Sequence, residues 1–129
     1  MPTNSKKITE EIKIEPELFL RINKNVTNIP SFGEDLKLSI GDRTTEILQK
    51  ILGGAVVLGV SDIHFEPKKE NSKIRVRSDG ILQQVVEFDH KTYNKIISRI
   101  KLLSELQLNI KDRPQDGRFS IALPEKPEE

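Results

Sequence analysis

Val60-Ser61-Asp62-Ile63-His64-Phe65-Glu66-Pro67, followed by Lys73-Ile74-Arg75-Val76-Arg77-Ser78-Asp79-Gly80, is the stretch whose reading decides the fold. Ile63 and Phe65 alternate with Asp62, His64 and Glu66, the period of a half-buried strand, until Pro67 ends the ladder. A second strand is expected over 73–78, with Ile74 and Val76 facing opposite Arg75 and Arg77. Asp79-Gly80 then supplies a two-residue hairpin turn, because such a turn needs positive φ values that glycine tolerates. A third strand follows over 81–88. In that register Arg75 lies across from Gln84 and Ile74 across from Val85.

Helices flank this core of strands. From Thr44, the residues Ile47, Leu48, Ile51, Leu52 and Ala55 recur at spacings of three and four and form one apolar helix face. Gly53 and Gly54 weaken that helix, and Gly59 is a natural stop. Downstream, Asp89 suits a helix N-cap, and Tyr93, Ile96, Ile97, Ile100 and Leu103 make a helical stripe, with Lys91, Lys95 and Arg99 mainly off it. Residues 111–117 read as a loop, 118–123 as a further strand, and 124–129, with prolines and acidic residues, as a frayed tail. Before Thr44, apolar residues are scattered among charges, and Pro16 opens a short helix through Phe19 and Ile22. That segment is expected to be a linker or a local cap on the core. The expected architecture is therefore α+β: a mainly antiparallel sheet flanked by helices, a single domain with flexible termini, divided into 1–42, 43–123 and 124–129.

A chain of 129 residues supports one packed core and not two. A formal net charge of +1 gives no basic excess of the kind nucleic-acid binders carry, and aromatic residues for base stacking make up only 5%. A basic strip of Lys91, Lys95, Arg99 and Lys101 is spread by helical geometry over more than one face. No nucleic-acid partner is expected. The absence of cysteine removes disulfides, thiolate metal sites and a cysteine nucleophile. The longest apolar run, Ala55-Val56-Val57-Leu58, is far short of the ~20 residues that span a bilayer. Lys6, Lys7, Glu10 and Glu11 interrupt any signal-like core, so no membrane insertion and a cytoplasmic location are expected.

Three groups of residues could carry chemistry. Asp62-x-His64-x-Glu66 places carboxylates and an imidazole on one side of a strand, but side chains at i and i+2 diverge, and a compact metal site would need ligands from elsewhere. Hydrogen bonding that fixes the strand end is the plainer reading, and no metal is expected. Arg75 and Arg77 offer planar, permanently charged guanidinium groups suited to phosphate oxygens. By spacing alone a solvated face, or ion pairs with Glu66 or Asp79, is the plainer reading. Arg113-Pro114-Gln115-Asp116-Gly117-Arg118 is either a phosphate-facing loop or a tight connection whose carboxylate accepts backbone N–H bonds. None of the seven glycines is followed by lysine, so the loop that cradles nucleotide phosphates in many ATPases is absent from this sequence. No serine nucleophile has an adjacent histidine.

Taken in order, Gly59-Val60-Ser61-Asp62-Ile63-His64, Arg75-x-Arg77-x-Asp79-Gly80-x-Leu82, Ser98-Arg99-Ile100-Lys101 and Pro114-Gln115-Asp116-Gly117-Arg118 resemble the domain that precedes the motor in type II secretion and type IV pilus assembly ATPases. The resemblance runs from about Thr44 to Ile121, with no comparable match over 1–42. It implies a PAS-like α+β domain, incomplete at its C-terminal end, ahead of a RecA-like ATPase domain in a hexamer. It also implies that Arg75, and more weakly Arg77, reach the phosphates of ATP bound by that RecA-like domain. Ser61, Asp62, His64, Glu66, Asp79, Gly80, Arg99, Asp116, Gly117 and Arg118 would be structural motif positions. Many relatives place another phosphate-directed arginine near the next helix, where this sequence has His90-Lys91; Lys91 supplies charge without a planar fork.

What the resemblance implies for the whole protein follows from these positions. ATP and Mg belong to the parent protein, with no cofactor in this chain and no catalysis by it alone. Implied partners are the RecA-like domain of the same protein, neighbouring subunits and inner-membrane platform proteins, with the whole peripheral to the inner membrane. The alternative is a stand-alone module that binds a small molecule or a protein without an ATPase partner.

Overall fold

A computed structural model describes residues 11–103 and 120–122. Its centre is a three-stranded antiparallel sheet in the order β2-β3-β4, from β2 (Asp62–Glu66), β3 (Ser72–Ser78) and β4 (Ile81–Phe88). Ser78 pairs with Ile81 across the turn, where Asp79 (φ 53°) and Gly80 (φ 80°) both take left-handed conformations. That is the turn whose twist matches the twist of the two strands it joins.

One detail of the expected register is corrected. Arg75 pairs with Gln84, but Ile74 pairs with Val86 and not with Val85, because β4 carries an extra residue at that point. The bulge has a packing reason. Val85 and Val86 are both buried, although strict alternation would send one of them outward.

Helix α3 (Thr44–Leu58) buries Ile47, Leu48, Ile51, Leu52 and Ala55. It ends at Gly59 (φ 68°), where the N–H of Gly59 donates to the Val56 carbonyl and the N–H of Val60 to the Ala55 carbonyl, each at 3.1 Å. Helix α4 (His90–Leu103) packs on α3 and adds Tyr93 and Ile96 to the core. The described part of the expected last strand is β5 (Ser120–Ala122), which pairs in parallel with β1 (Glu11–Lys13) in a separate two-stranded sheet. The loop 111–117 and the tail 124–129 lie outside the described residues.

The segment before Thr44 holds two helices, α1 (Pro16–Asn25) and α2 (Ile29–Lys37). Pro16 opens α1, as its fixed φ and missing N–H allow. Asn28 caps α2 by accepting the Ser31 N–H at 2.9 Å, and Ser31 Oγ accepts the Asn28 N–H at 3.0 Å. Ile12, Ile14, Leu18, Ile22, Val26, Phe32 and Leu36 are buried in the same core as Ile51, Ile74 and Val76. A linker does not pack this way; a cap on the core does.

Polar ties join the same elements. Gln49 accepts the Glu15 N–H at 3.2 Å, and Lys50 Nζ donates to Ser39 Oγ at 2.7 Å while facing Asp35 Oδ1 at 4.0 Å. The glycines mark close approaches. A Cβ on Gly54 would press into the Phe32 ring, and one on Gly53 would meet Ile22 Cδ1 at 2.8 Å. Gly33 of α2 faces the backbone carbonyl of Val85, at the bulge.

Gly33→Ala therefore sets two effects against each other. Alanine favours a helix interior by about 1 kcal/mol, whereas a methyl group driven into a fixed carbonyl costs roughly 1–3 kcal/mol. The collision wins because the obstacle is backbone and cannot rotate away. The variant should unfold at lower denaturant concentration than the wild type; an unchanged or higher midpoint would refute the close contact between α2 and β4.

Candidate functional site

Burial of Ile74 and Val76 on the core side of β3 leaves Lys73, Arg75 and Arg77 on the other face. The register sets Asp62 opposite Arg77, His64 opposite Arg75 and Glu66 opposite Lys73. A row of acidic and imidazole side chains thus runs beside a row of basic ones. Arg77 Nε lies 3.5 Å from Asp62 Oδ1, with the side chains 39% and 47% exposed. Arg75 Nε lies 3.7 Å from Glu66 Oε1, reached along the diagonal, with exposures of 37% and 26%. These separations are too long for good hydrogen bonds, and such half-open pairs contribute about 1 kcal/mol or less. Among the described residues Arg75 Nε, although shielded from solvent, has no hydrogen-bond partner, and the same holds for His64 Nε2.

Each carboxylate has further company. Asp62 Oδ2 stands 3.5 Å from His64 Nε2, and Asp62 Oδ1 is 3.3 Å from the Ser61 hydroxyl. Glu66 Oε1 is 3.6 Å from Lys68 Nζ. Ser61 also fixes the strand end, since its N–H donates to the Arg77 carbonyl at 2.9 Å and its hydroxyl reaches the same oxygen at 3.2 Å. The one hydroxyl proton serves either that carbonyl or Asp62. Burial, and secondarily the Glu66 carboxylate, hold the Tyr93 hydroxyl above its ordinary value of 10.0. On β4, Glu87 accepts from Gln84 at 3.4 Å and from Asn71 at 3.3 Å.

The structure brings Ser61, Asp62, His64, Glu66, Arg75 and Arg77 onto one face. Asp79 and Gly80 form the turn, and among the described residues Asp79 makes no ion pair; the partner of Arg77 is Asp62. Sequence reasoning missed that pair and Lys68, because the link from β2 to β3, residues 67–71, holds no two-residue hairpin turn of the Asp-Gly kind that would set their register. Lys91 is exposed in the first turn of α4. Arg99 lines a shallow hollow with Thr44, Lys95 and Ser98, and no hairpin residue shares it. Asp116, Gly117 and Arg118 lie outside the described residues. Among the described residues no three His, Asp or Glu side chains converge as metal ligands, and Asp62, His64 and Glu66 line up along β2. No described helix is long and apolar enough to cross a membrane.

Antiparallel strands with paired arginines and flanking helices define a small α+β domain with a charged open face. Residues 41–128 match the family described as type II/IV secretion system protein, and the chain belongs to that family. It is 36% identical over 105 residues to the type IV pilus assembly ATPase TfpB of Acinetobacter baylyi, covering 81% of this chain and 18% of that protein. It is 30% identical over 122 residues to the type II secretion system ATPase E of Vibrio cholerae, covering 94% of this chain and 24% of that protein. The family match begins at residue 41, close to the expected Thr44, while the second alignment extends over most of residues 1–42, where no match was expected. The chain spans about a fifth of the length of these relatives, at 18% and 24%.

The start of α4 is anchored by Asp89. Its carboxylate accepts the Thr92 hydroxyl at 2.7 Å and the Thr92 N–H at 3.2 Å. These bonds, the hydroxyl's first, hold Asp89 below its ordinary value of 3.8. A carboxylate lowered by folding contributes stability above its unfolded value, and that contribution is lost as pH falls through the folded value. Asn at this position still caps but does not titrate. The thermal midpoint of wild type minus that of Asp89→Asn should therefore shrink as pH is taken from 6 to below 3.8. A difference constant with pH would contradict this account of the cap.

Proposed function

We propose that this chain is the coupling domain of a secretion or pilus assembly ATPase, in which Arg75 meets the phosphates of ATP held by a RecA-like motor domain, with Arg77 as a secondary contact. The observation that carries the reading is the placement of both guanidinium groups, half-exposed, on the open face of a hairpin in a member of this family. A planar cation brought against the γ-phosphate neutralises charge that develops during phosphoryl transfer. Because that cation stands on a different body from the one that binds the nucleotide, its contact links nucleotide state to closure of the two. Magnesium and ATP belong to the motor. The domain's partners are the motor domain of its own chain, neighbouring subunits of a hexamer and platform proteins of the inner membrane. Lys91 is assigned no phosphate contact in this reading.

The test joins this chain to the motor region of the Vibrio cholerae type II secretion system ATPase E, in place of the residues it matches. Arg75→Ala should lower kcat for ATP hydrolysis by about 100-fold, the scale of one lost transition-state donor, with a smaller loss for Arg77→Ala. Circular dichroism should stay unchanged. Turnover at the parent level in a folded Arg75→Ala protein would overturn the proposal.

A further inference from the structure

We infer that Glu66 and Asp62 are resident counter-ions that Arg75 and Arg77 exchange for phosphate, so that these carboxylates set how readily each arginine is released. The inference rests on the phosphate-facing reading of the hairpin and adds the residues that regulate it.

Three observations carry it. First, each arginine faces its own carboxylate: Arg75 faces Glu66 at 3.7 Å and Arg77 faces Asp62 at 3.5 Å, both through Nε. A phosphate approaching either guanidinium therefore competes with a negative charge already in place.

Second, the contacts are loose. At these separations the charges attract without a well-made hydrogen bond, and Arg75 Nε has no hydrogen-bond partner among the described residues. A bidentate fork would hold an arginine far more firmly. The arginine is thus positioned without being locked.

Third, neither carboxylate is stranded when its arginine leaves. Glu66 keeps the Lys68 ammonium at 3.6 Å, and Asp62 stays 47% exposed, with the His64 imidazole at 3.5 Å and the shared Ser61 hydroxyl at 3.3 Å as polar neighbours. Removing one partner from a charge pair costs most when the other is left uncompensated. Lys68 offsets that cost at Glu66 and solvent offsets it at half-exposed Asp62, so a multiply charged anion can tip the exchange.

The two arginines should be separately tunable, because each has its own carboxylate. The 129-residue chain, titrated with inorganic triphosphate and followed by the NMR signals of the arginine Nε–H groups, tests this. Glu66→Gln should tighten the response of Arg75 by about threefold to fivefold, the worth of one exposed ion pair. Asp62→Asn should do the same for Arg77. Glu34→Gln, an equal loss of charge on the exposed face of α2, is the control for net charge.

Tightening at Arg75 in Glu66→Gln beyond that in Glu34→Gln supports the exchange. If Arg75 responds to triphosphate but equally in both variants, phosphate capture stands and the counter-ion role falls. If triphosphate leaves both arginine signals unmoved in every variant, the phosphate-facing reading and this inference fall together.

Discussion

Ile74 and Val76 are wholly shielded from solvent, and everything on the open face of the sheet follows from that. Side chains of a strand alternate, so burying these two obliges Lys73, Arg75 and Arg77 to point the other way. Burial of each aliphatic side chain is worth roughly 1.5–3 kcal/mol, against about 1 kcal/mol or less for each exposed ion pair. The core places the arginines. A slip of one residue would turn both rows inside out, and the Asp79-Gly80 turn, with both residues left-handed, pins the register against it.

The sheet in turn is held by elements from the other end of the chain. Phe32 and Leu36 of α2 and Ile22 of α1 are among the most completely buried side chains, and they share one cluster with β3 and β4. Gly33 lets α2 approach the β4 backbone at the bulge, while Gly54 makes room in α3 for the Phe32 ring. Lys50, Ser39 and Asp35 add a largely shielded polar tie between α2 and α3. The charged face is thus mounted on a sheet backed by packed helices. That packing fixes the backbone of each arginine, whatever its side chain meets.

Local signals made much of this legible. The strands at 62–66 and 81–88, the turn, the Gly59 stop, the Asp89 cap and the Pro16 start each rest on one or two residues whose chemistry allows few alternatives. Long-range packing was not legible. Gly53 and Gly54 read as weak points of a helix because propensity says nothing of the Ile22 and Phe32 side chains that need the space. The bulge that moves Ile74 from Val85 to Val86 answers to the core demanding two successive valines, which a turn-based register cannot anticipate. Of the candidate site, the face carrying Arg75 and Arg77 was readable from period two, but the pairing of Arg77 with Asp62 depends on how β2 docks.

The charge balance of the open face bears on what it can do at a distance. Asp62, Glu66 and Glu87 stand among Lys68, Lys73, Arg75 and Arg77, and the chain as a whole carries a formal charge of only +1. A face so nearly neutral has little field beyond the Debye length of ~8 Å at physiological salt, so long-range steering adds little to the rate at which an anion reaches it. At contact the outcome differs, because a guanidinium offers directed donors that a screened field does not. Such a surface responds to an anion at contact, whether the anion arrives free or is presented by another body. For the coupling role proposed, this means nucleotide binding and arginine engagement are separable events: the motor selects the nucleotide, and the hairpin responds to its arrival at short range.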